Sequence, residues 1–213
     1  LSIVDFHTGS HLATALLAGI VGAQRSGAGC DVDVCLFETA LHQTSYPATW
    51  YLNEGHVTGR LPRGAHPSIA PSQLFRTRDG WCLLMCQTPK FWDLFCAITG
   101  ADALKADERF ATIPARRENL AALTEQIDEI LSHRTTQEWM DILGGKVPFA
   151  PVLDIAGALD SPYLESIGMI ETVEHPEAPE GLRTLASPFR VNGDRVRSSR
   201  APALGEHNEE LLK

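Results

Sequence analysis

Residues Leu12 to Gln24 read LATALLAGIVGAQ, a helical stretch apolar on nearly all sides, and a helix of that kind needs cover around most of its circumference. Ser10 is placed to cap its start, and Ser26-Gly27-Ala28-Gly29 after Arg25 supplies the stop. A buried helix is therefore expected, between two strand-like runs. Leu1-Ser2-Ile3-Val4 precedes it, and Cys30-Asp31-Val32-Asp33-Val34-Cys35-Leu36 follows with the alternation of a strand covered on one face. Glu38 to Leu52 then returns to helical spacing. Strand, helix, strand, helix is the order of an α/β layer with a parallel sheet, and residues 1 to about 52 read as the back half of one.

The character changes at NEGHVTGRLPRGAHPSIAPS (53–72), which holds Gly and Pro without periodicity and predicts a long irregular connection, a setting common for linkers and functional loops. Beyond it, two apolar runs flank Arg78-Asp79-Gly80, a hairpin signal. Thr88-Pro89 opens a helix to about Thr99, with Phe91, Leu94, Phe95 and Ile98 on one apolar stripe. Pro114 to Ser132 predicts another helix with Leu120, Leu123, Ile127, Ile130 and Leu131 inward. A shorter one runs from Thr136 to Gly144-Gly145. Pro148 and Pro151 make Val147 to Leu153 an edge strand. A helix over 155–166 broken near Pro162, then short strands at 169–173, 182–185 and 189–191, complete the pattern. Trp50, Tyr51 and Trp81 read as packing residues.

A net charge of −9 with scattered arginines offers no basic face for nucleic acid or anionic lipid. No stretch reaches the roughly 18 apolar residues of a membrane span. Five cysteines without a C-x-x-C pair, and eight histidines without H-E-x-x-H, point to no metal site and to reduced core thiols in a cytoplasmic protein.

Asp5 is the leading chemical candidate. On a strand-to-helix turn, free backbone N–H groups and the helix dipole favour a charged, nucleophilic carboxylate, although an Asp near a helix start commonly only caps it. His7 and His11 lie close enough in sequence to tune such a site, or else serve as surface residues.

Four stretches carry a family likeness: Val4-Asp5-Phe6-His7-Thr8-Gly9; Ser26-Gly27-Ala28-Gly29 leading to Val32-Asp33-Val34; His66-Pro67-Ser68-Ile69-Ala70-Pro71 followed by Phe75-Arg76-Thr77-Arg78-Asp79-Gly80; and Leu204-Gly205-Glu206-His207-Asn208. Their order and spacing resemble the class III coenzyme A transferases of the CaiB/BaiF type, which include formyl-CoA transferase, carnitine CoA-transferase and the related 2-methylacyl-CoA racemases. The resemblance implies an α/β fold: the back half of a Rossmann-like CoA-binding large domain (1–55), a linker with a small α+β domain (56–155), and a return segment (156–213). It also implies a protein of roughly twice this length, whose missing front half supplies most contacts to the CoA nucleotide, and an interlocked homodimer or a pairing with a chain bearing that half.

By the same resemblance Asp5 is the nucleophile, passing through an aspartyl anhydride and an aspartyl-CoA thioester. Gly64, Ala65 and His66 are the candidates for the oxyanion loop, which lacks the run of glycines seen in formyl-CoA transferase. No cofactor is held permanently; the CoA thioester is a substrate. The racemase branch carries a Glu where Thr88 stands here, which favours transfer over racemisation. The alternative outside enzymology is a non-catalytic subunit of the same fold.

Overall fold

A computed structural model describes residues 2–176 and 178–212. It opens on helix α1 (Ile3–Ser26), followed by an irregular segment, then α2 (Leu36–Gln43) and α3 (Ser45–Glu54). A connection with one 3₁₀ turn at Pro62–Gly64 leads to the hairpin β1 (Ser72–Arg76) and β2 (Trp81–Met85). Helices α4 (Pro89–Thr99), α5 (Asp102–Ala106), α6 (Ile113–Glu118), α7 (Leu120–Ser132) and α8 (Thr136–Leu143) precede the edge strand β3 (Phe149–Pro151). After α9 (Ile155–Leu159) and α10 (Pro162–Ser166) come hairpins β4 (Ile170–His175) with β5 (Ala178–Leu185) and β6 (Arg190–Val191) with β7 (Asp194–Arg195), and then α11 (Asn208–Leu211).

The core belongs to the middle of the chain. The antiparallel sheet β1-β2-β3 packs Phe75, Cys82, Leu84 and Phe149 against Phe95 of α4, Leu123, Ile127 and Leu131 of α7, and Trp139 and Leu143 of α8. The α7 residues recur every four positions, so one helix face meets the sheet. On α4 the inward side is Trp92, Phe95 and Cys96, while Phe91, Leu94 and Ile98 are only half-covered. Thr88 caps α4 by accepting from the Phe91 N–H, and Thr135 with Glu138 forms a capping box on α8. The predicted 114–132 helix breaks at Asn119, whose side chain instead bonds the carbonyls of Arg109 and Ala115.

Arg116 is the one charged side chain sealed into this region among the described residues, at 1% exposed. Its Nε donates to the Ala70 carbonyl at 2.7 Å, its Nη1 to the Phe110 carbonyl at 2.7 Å, and its guanidinium lies 4.7 Å from the centre of the Trp92 ring. A cation is tolerable there because Nε and Nη1 each donate to a carbonyl and its flat face is covered by an aromatic ring.

The mixed helix and strand class stands, but three local expectations in the first module do not. Ile3 and Val4 form the first turn of α1 rather than a strand, and 30–35 makes no ladder among the described residues. Alternation does survive in that segment, with Val32 and Val34 half-covered and Asp31 and Asp33 exposed. It runs against α1 at Gly19, where an added Cβ would lie 3.3 Å from Val32 Cγ2 and 3.4 Å from Cys30 Sγ. Helix α1 is not buried either. Its partly covered stripe is Val4, Thr8, Ala15, Gly19 and Ala23, residues small enough for close approach, whereas Phe6, Leu17 and Ile20 are 75%, 64% and 53% exposed. Pattern predicted an apolar helix correctly and predicted cover that the described residues do not provide.

Cys30 and Cys35 are likewise exposed rather than core, while Cys82, Cys86 and Cys96 are buried. Burial pushes these three thiols up, from 9.0 to about 12 for Cys82 and Cys86 and to about 11 for Cys96. A raised thiol holds its proton in the folded state after the unfolded chain would release it. Their contribution is therefore complete below about pH 9 and is lost as pH climbs toward about 12. Urea midpoints measured across that window are expected to fall, with Cys82→Ala and Cys86→Ala flattening the decline.

In the β4–β5 hairpin, Gly181 has φ +81 and faces Thr172, whose Cγ2 would lie 2.4 Å from an added Cβ. Gly181→Ala should loosen this hairpin by about 1–3 kcal/mol, since both the backbone conformation and the space exclude a side chain. Amide exchange confined to 170–185 would register it.

Candidate functional site

Asp5 is the third residue of α1, one position set inside the helix rather than on a turn before it. Ser2 occupies the N-cap without a side-chain bond to the first turn, so no side chain among the described residues caps the leading amides. The Asp5 carboxylate is exposed and makes no hydrogen bond or ion pair among the described residues. At about 100° per residue it heads the side of α1 that continues through Leu12 and Leu16.

His7 and His11 do not share that side, because residues two apart on a helix point away from each other. His7 Nδ1 turns back to the Ile3 carbonyl at 3.1 Å. The His11 ring lies 6.5 Å from His7 and 6.1 Å from His42 of α2, so the histidines form a row across the α1–α2 junction.

The loop candidates are held by several ties. Arg63, with φ +56, sends Nη1 to Asp128 of α7 at 2.7 Å and lies 5.3 Å from the Trp81 ring centre. Gly64 follows at φ +65, a conformation glycine adopts without steric penalty. The Ala65 N–H donates to the Pro62 carbonyl at 3.0 Å, and the His66 N–H to the Ser72 carbonyl at 2.9 Å. Two amides of the predicted oxyanion loop are thus already bonded inside the protein. His66 Nδ1 lies 3.1 Å from the Ser68 backbone N and 3.2 Å from its Oγ, and Nε2 lies 3.2 Å from Tyr46 Oη. His66 also lines a cavity of about 280 Å³ with Leu61, Pro67, Ala70, Arg117 and Leu120.

Among the described residues, no hydrogen bond, ion pair or ring contact joins Asp5 to Gly64, Ala65 or His66. Arg63, Ser68, Tyr46 and Asp128 are participants that residue pattern did not single out. Glycine and proline at 62–64 announce a tight turn, but pairings 20 and 65 positions apart leave no local trace. Of the packing aromatics, Trp50 contacts Tyr46 and His56, Trp81 takes the guanidinium of Arg76 at 4.9 Å, and Tyr51 is 60% exposed.

Glu206 is engaged within the tail. Arg200 grips both its carboxylate oxygens and the Ala203 N–H adds a third bond, which together hold it down at about 2. A separate cavity of about 1050 Å³ lies between the β4 strand and the 190–200 segment, remote in sequence from every predicted site residue. Among the described residues no group of three or more His, Cys, Asp or Glu is arranged to hold a metal ion, and no helix is long and apolar enough to cross a membrane.

The profile of CoA-transferase family III matches residues 1–208. The chain belongs to that family. An acyl-CoA transferase of Fusarium pseudograminearum is 31% identical over 219 residues, covering 100% of this chain and 47% of the relative. The human succinyl-CoA:glutarate CoA-transferase is 25% identical over 217 residues, again with 100% of this chain and 48% of the relative. Among solved structures, an Asp-to-Ala variant of Rv3272 from Mycobacterium tuberculosis superposes with a TM-score of 0.84 at 25% identity, and a CAIB/BAIF family protein from Brucella suis with 0.78 at 28%. Each match covers 100% of this chain and 55% of the solved one. The chain thus spans about half the length of the relatives it matches. This family III membership accords with the CaiB/BaiF likeness of the four sequence stretches and with the mixed helix and strand fold.

Proposed function

We propose that this chain supplies the acyl-accepting carboxylate of a CoA-transferase that exchanges CoA between a thioester and a carboxylic acid. The observation that supports it is the placing of Asp5, an exposed, unbonded carboxylate in an uncapped first helical turn, within a family III chain. A carboxylate oxygen of Asp5 attacks the thioester carbonyl; the C–S bond breaks and CoA thiolate leaves, giving a mixed anhydride. The thiolate then attacks the aspartyl carbonyl and releases the donor acid as a carboxylate, leaving an aspartyl-CoA thioester. The acceptor carboxylate repeats the two exchanges in reverse, regenerating Asp5. No net proton is consumed, and both acyl-aspartyl species are activated, so neither is a thermodynamic trap. Each tetrahedral intermediate needs hydrogen-bond donors about 3 Å from its oxyanion.

Thr88 supports transfer over racemisation, since its hydroxyl is spent capping α4 and provides no carboxylate for a proton relay. The apolar side of α1 supports the division into 1–55 as part of a larger α/β domain, 56–155 as a small domain and 156–213 as a return segment. In this reading the remainder of the large domain covers Phe6, Leu17 and Ile20, and a second copy interlocks with the first in a cytoplasmic enzyme. Incubating the complete protein with acyl-CoA donors, quenching with hydroxylamine and sequencing the peptides by mass spectrometry tests the chemistry. A hydroxamate at Asp5 is expected; modification elsewhere only, or none under turnover, overturns the assignment.

A further inference from the structure

A backbone amide can only donate. The Ser68 N–H directed at His66 Nδ1 at 3.1 Å therefore requires a lone pair on Nδ1, and the neutral ring must carry its proton on Nε2. That proton points at Tyr46 Oη, 3.2 Å away, so the phenol accepts from His66. Tyr46 Oη has no other hydrogen-bond partner among the described residues, and its own proton is left for a group from outside.

This phenol is not a loose surface ring. It stacks on His66 with centroids 5.8 Å apart and planes 24° from parallel, and Trp50 packs against it at 4.9 Å. The residue before it, Ser45, has φ +50, and the chain bends there between α2 and α3. A non-glycine residue held in that region stores backbone strain, a feature that recurs at functional sites. The neighbouring Ala65 and His66 amides are committed to internal carbonyls, whereas the Tyr46 hydroxyl proton has no acceptor among the described residues.

We propose that Tyr46 donates its hydrogen bond to a substrate oxygen, the carbonyl of the thioester or the carboxylate of the acid, and that His66, held by Ser68, is the positioning residue that aims it. Tyr46 keeps its proton throughout, stabilising negative charge on the oxygen as it develops. The inference rests on the transferase reading above.

The test uses the complete protein with a donor and acid pair that the wild type turns over. Tyr46→Phe preserves the ring stack and deletes only the hydroxyl, and kcat is expected to fall about 100-fold, the scale of one oxyanion donor, with the thermal midpoint little changed. His66→Phe should lower kcat in the same direction. The double variant should be no slower than Tyr46→Phe alone, because both changes act through one hydroxyl. In ¹⁵N spectra of the wild type, His66 should carry its proton on Nε2.

Wild-type kcat in Tyr46→Phe, or a proton on Nδ1, overturns the proposal. If Asp5→Ala is inactive while Tyr46→Phe is unaffected, this inference alone fails. If the wild type transfers CoA to no acid tested, the transferase reading fails and this inference with it.

Discussion

Asp5→Ala in the complete protein is expected to lower CoA transfer by about 10³-fold or more while leaving the fold intact, because in the proposed mechanism the substitution removes the carboxylate that takes up the acyl group. The second half of that expectation comes from the geometry. Asp5 is exposed and holds no partner among the described residues, so its loss costs no more than the favourable placing of a negative charge at a helix start, about 0.3–1 kcal/mol. An unchanged thermal midpoint together with lost turnover would separate chemistry from stability. Asp5→Asn should behave like Asp5→Ala, since a carboxamide forms neither an anhydride nor a thioester under these conditions. Retained turnover in either variant, with the protein shown to be free of wild-type contamination, would remove Asp5 from the mechanism.

Arg116→Met carries the largest expected effect on stability. The guanidinium satisfies the Ala70 and Phe110 carbonyls, and both residues are fully buried. A methionine fills much of the space but leaves those acceptors without donors, each costing about 1–3 kcal/mol. A total loss of about 3 kcal/mol or more is expected in urea unfolding, enough to threaten a domain of ordinary stability. Because Ala70 lies four residues beyond His66 in the same irregular segment, the variant should also loosen the His66 contact with Tyr46. Lowered kcat at temperatures where the protein is still folded would reveal that second effect. A midpoint within error of wild type would show that water satisfies the carbonyls instead.

What could be read from residues alone depended on how local the deciding interaction was. The hairpin around Asp79-Gly80, the cap at Thr88 and the inward face of α7 are settled within a few positions, and periodicity and turn chemistry located them, while the cap of α8 falls on Thr135, one residue before the Thr136 start that was expected. The Pro148 and Pro151 argument placed β3 at a sheet edge for the same reason. The first module was harder. A strand exists only when another strand pairs with it, so alternation over 30–36 predicted one-sided cover correctly and a ladder wrongly. Burial of α1 failed on the same dependence, since an apolar helix does not carry its cover in its own sequence. At the candidate site, neighbours and the family likeness single out Asp5 as the candidate, whereas the Tyr46–His66–Ser68 contacts leave no such local trace. Their direction depends on which ring nitrogen holds a proton, and only a neighbouring amide in three dimensions decides that.

The cysteine distribution has a practical consequence. Cys82, Cys86 and Cys96 are sealed in the core with thiols that resist ionisation, while Cys30 and Cys35 lie open on either side of the segment that crosses α1 at Gly19. A maleimide dye or spin label applied near neutral pH would therefore attach to the first module alone, without any engineered handle. Reagent uptake at those two positions becomes a gauge of whether that surface is docked: rapid when the helix pair stands bare, slow once another polypeptide settles over it.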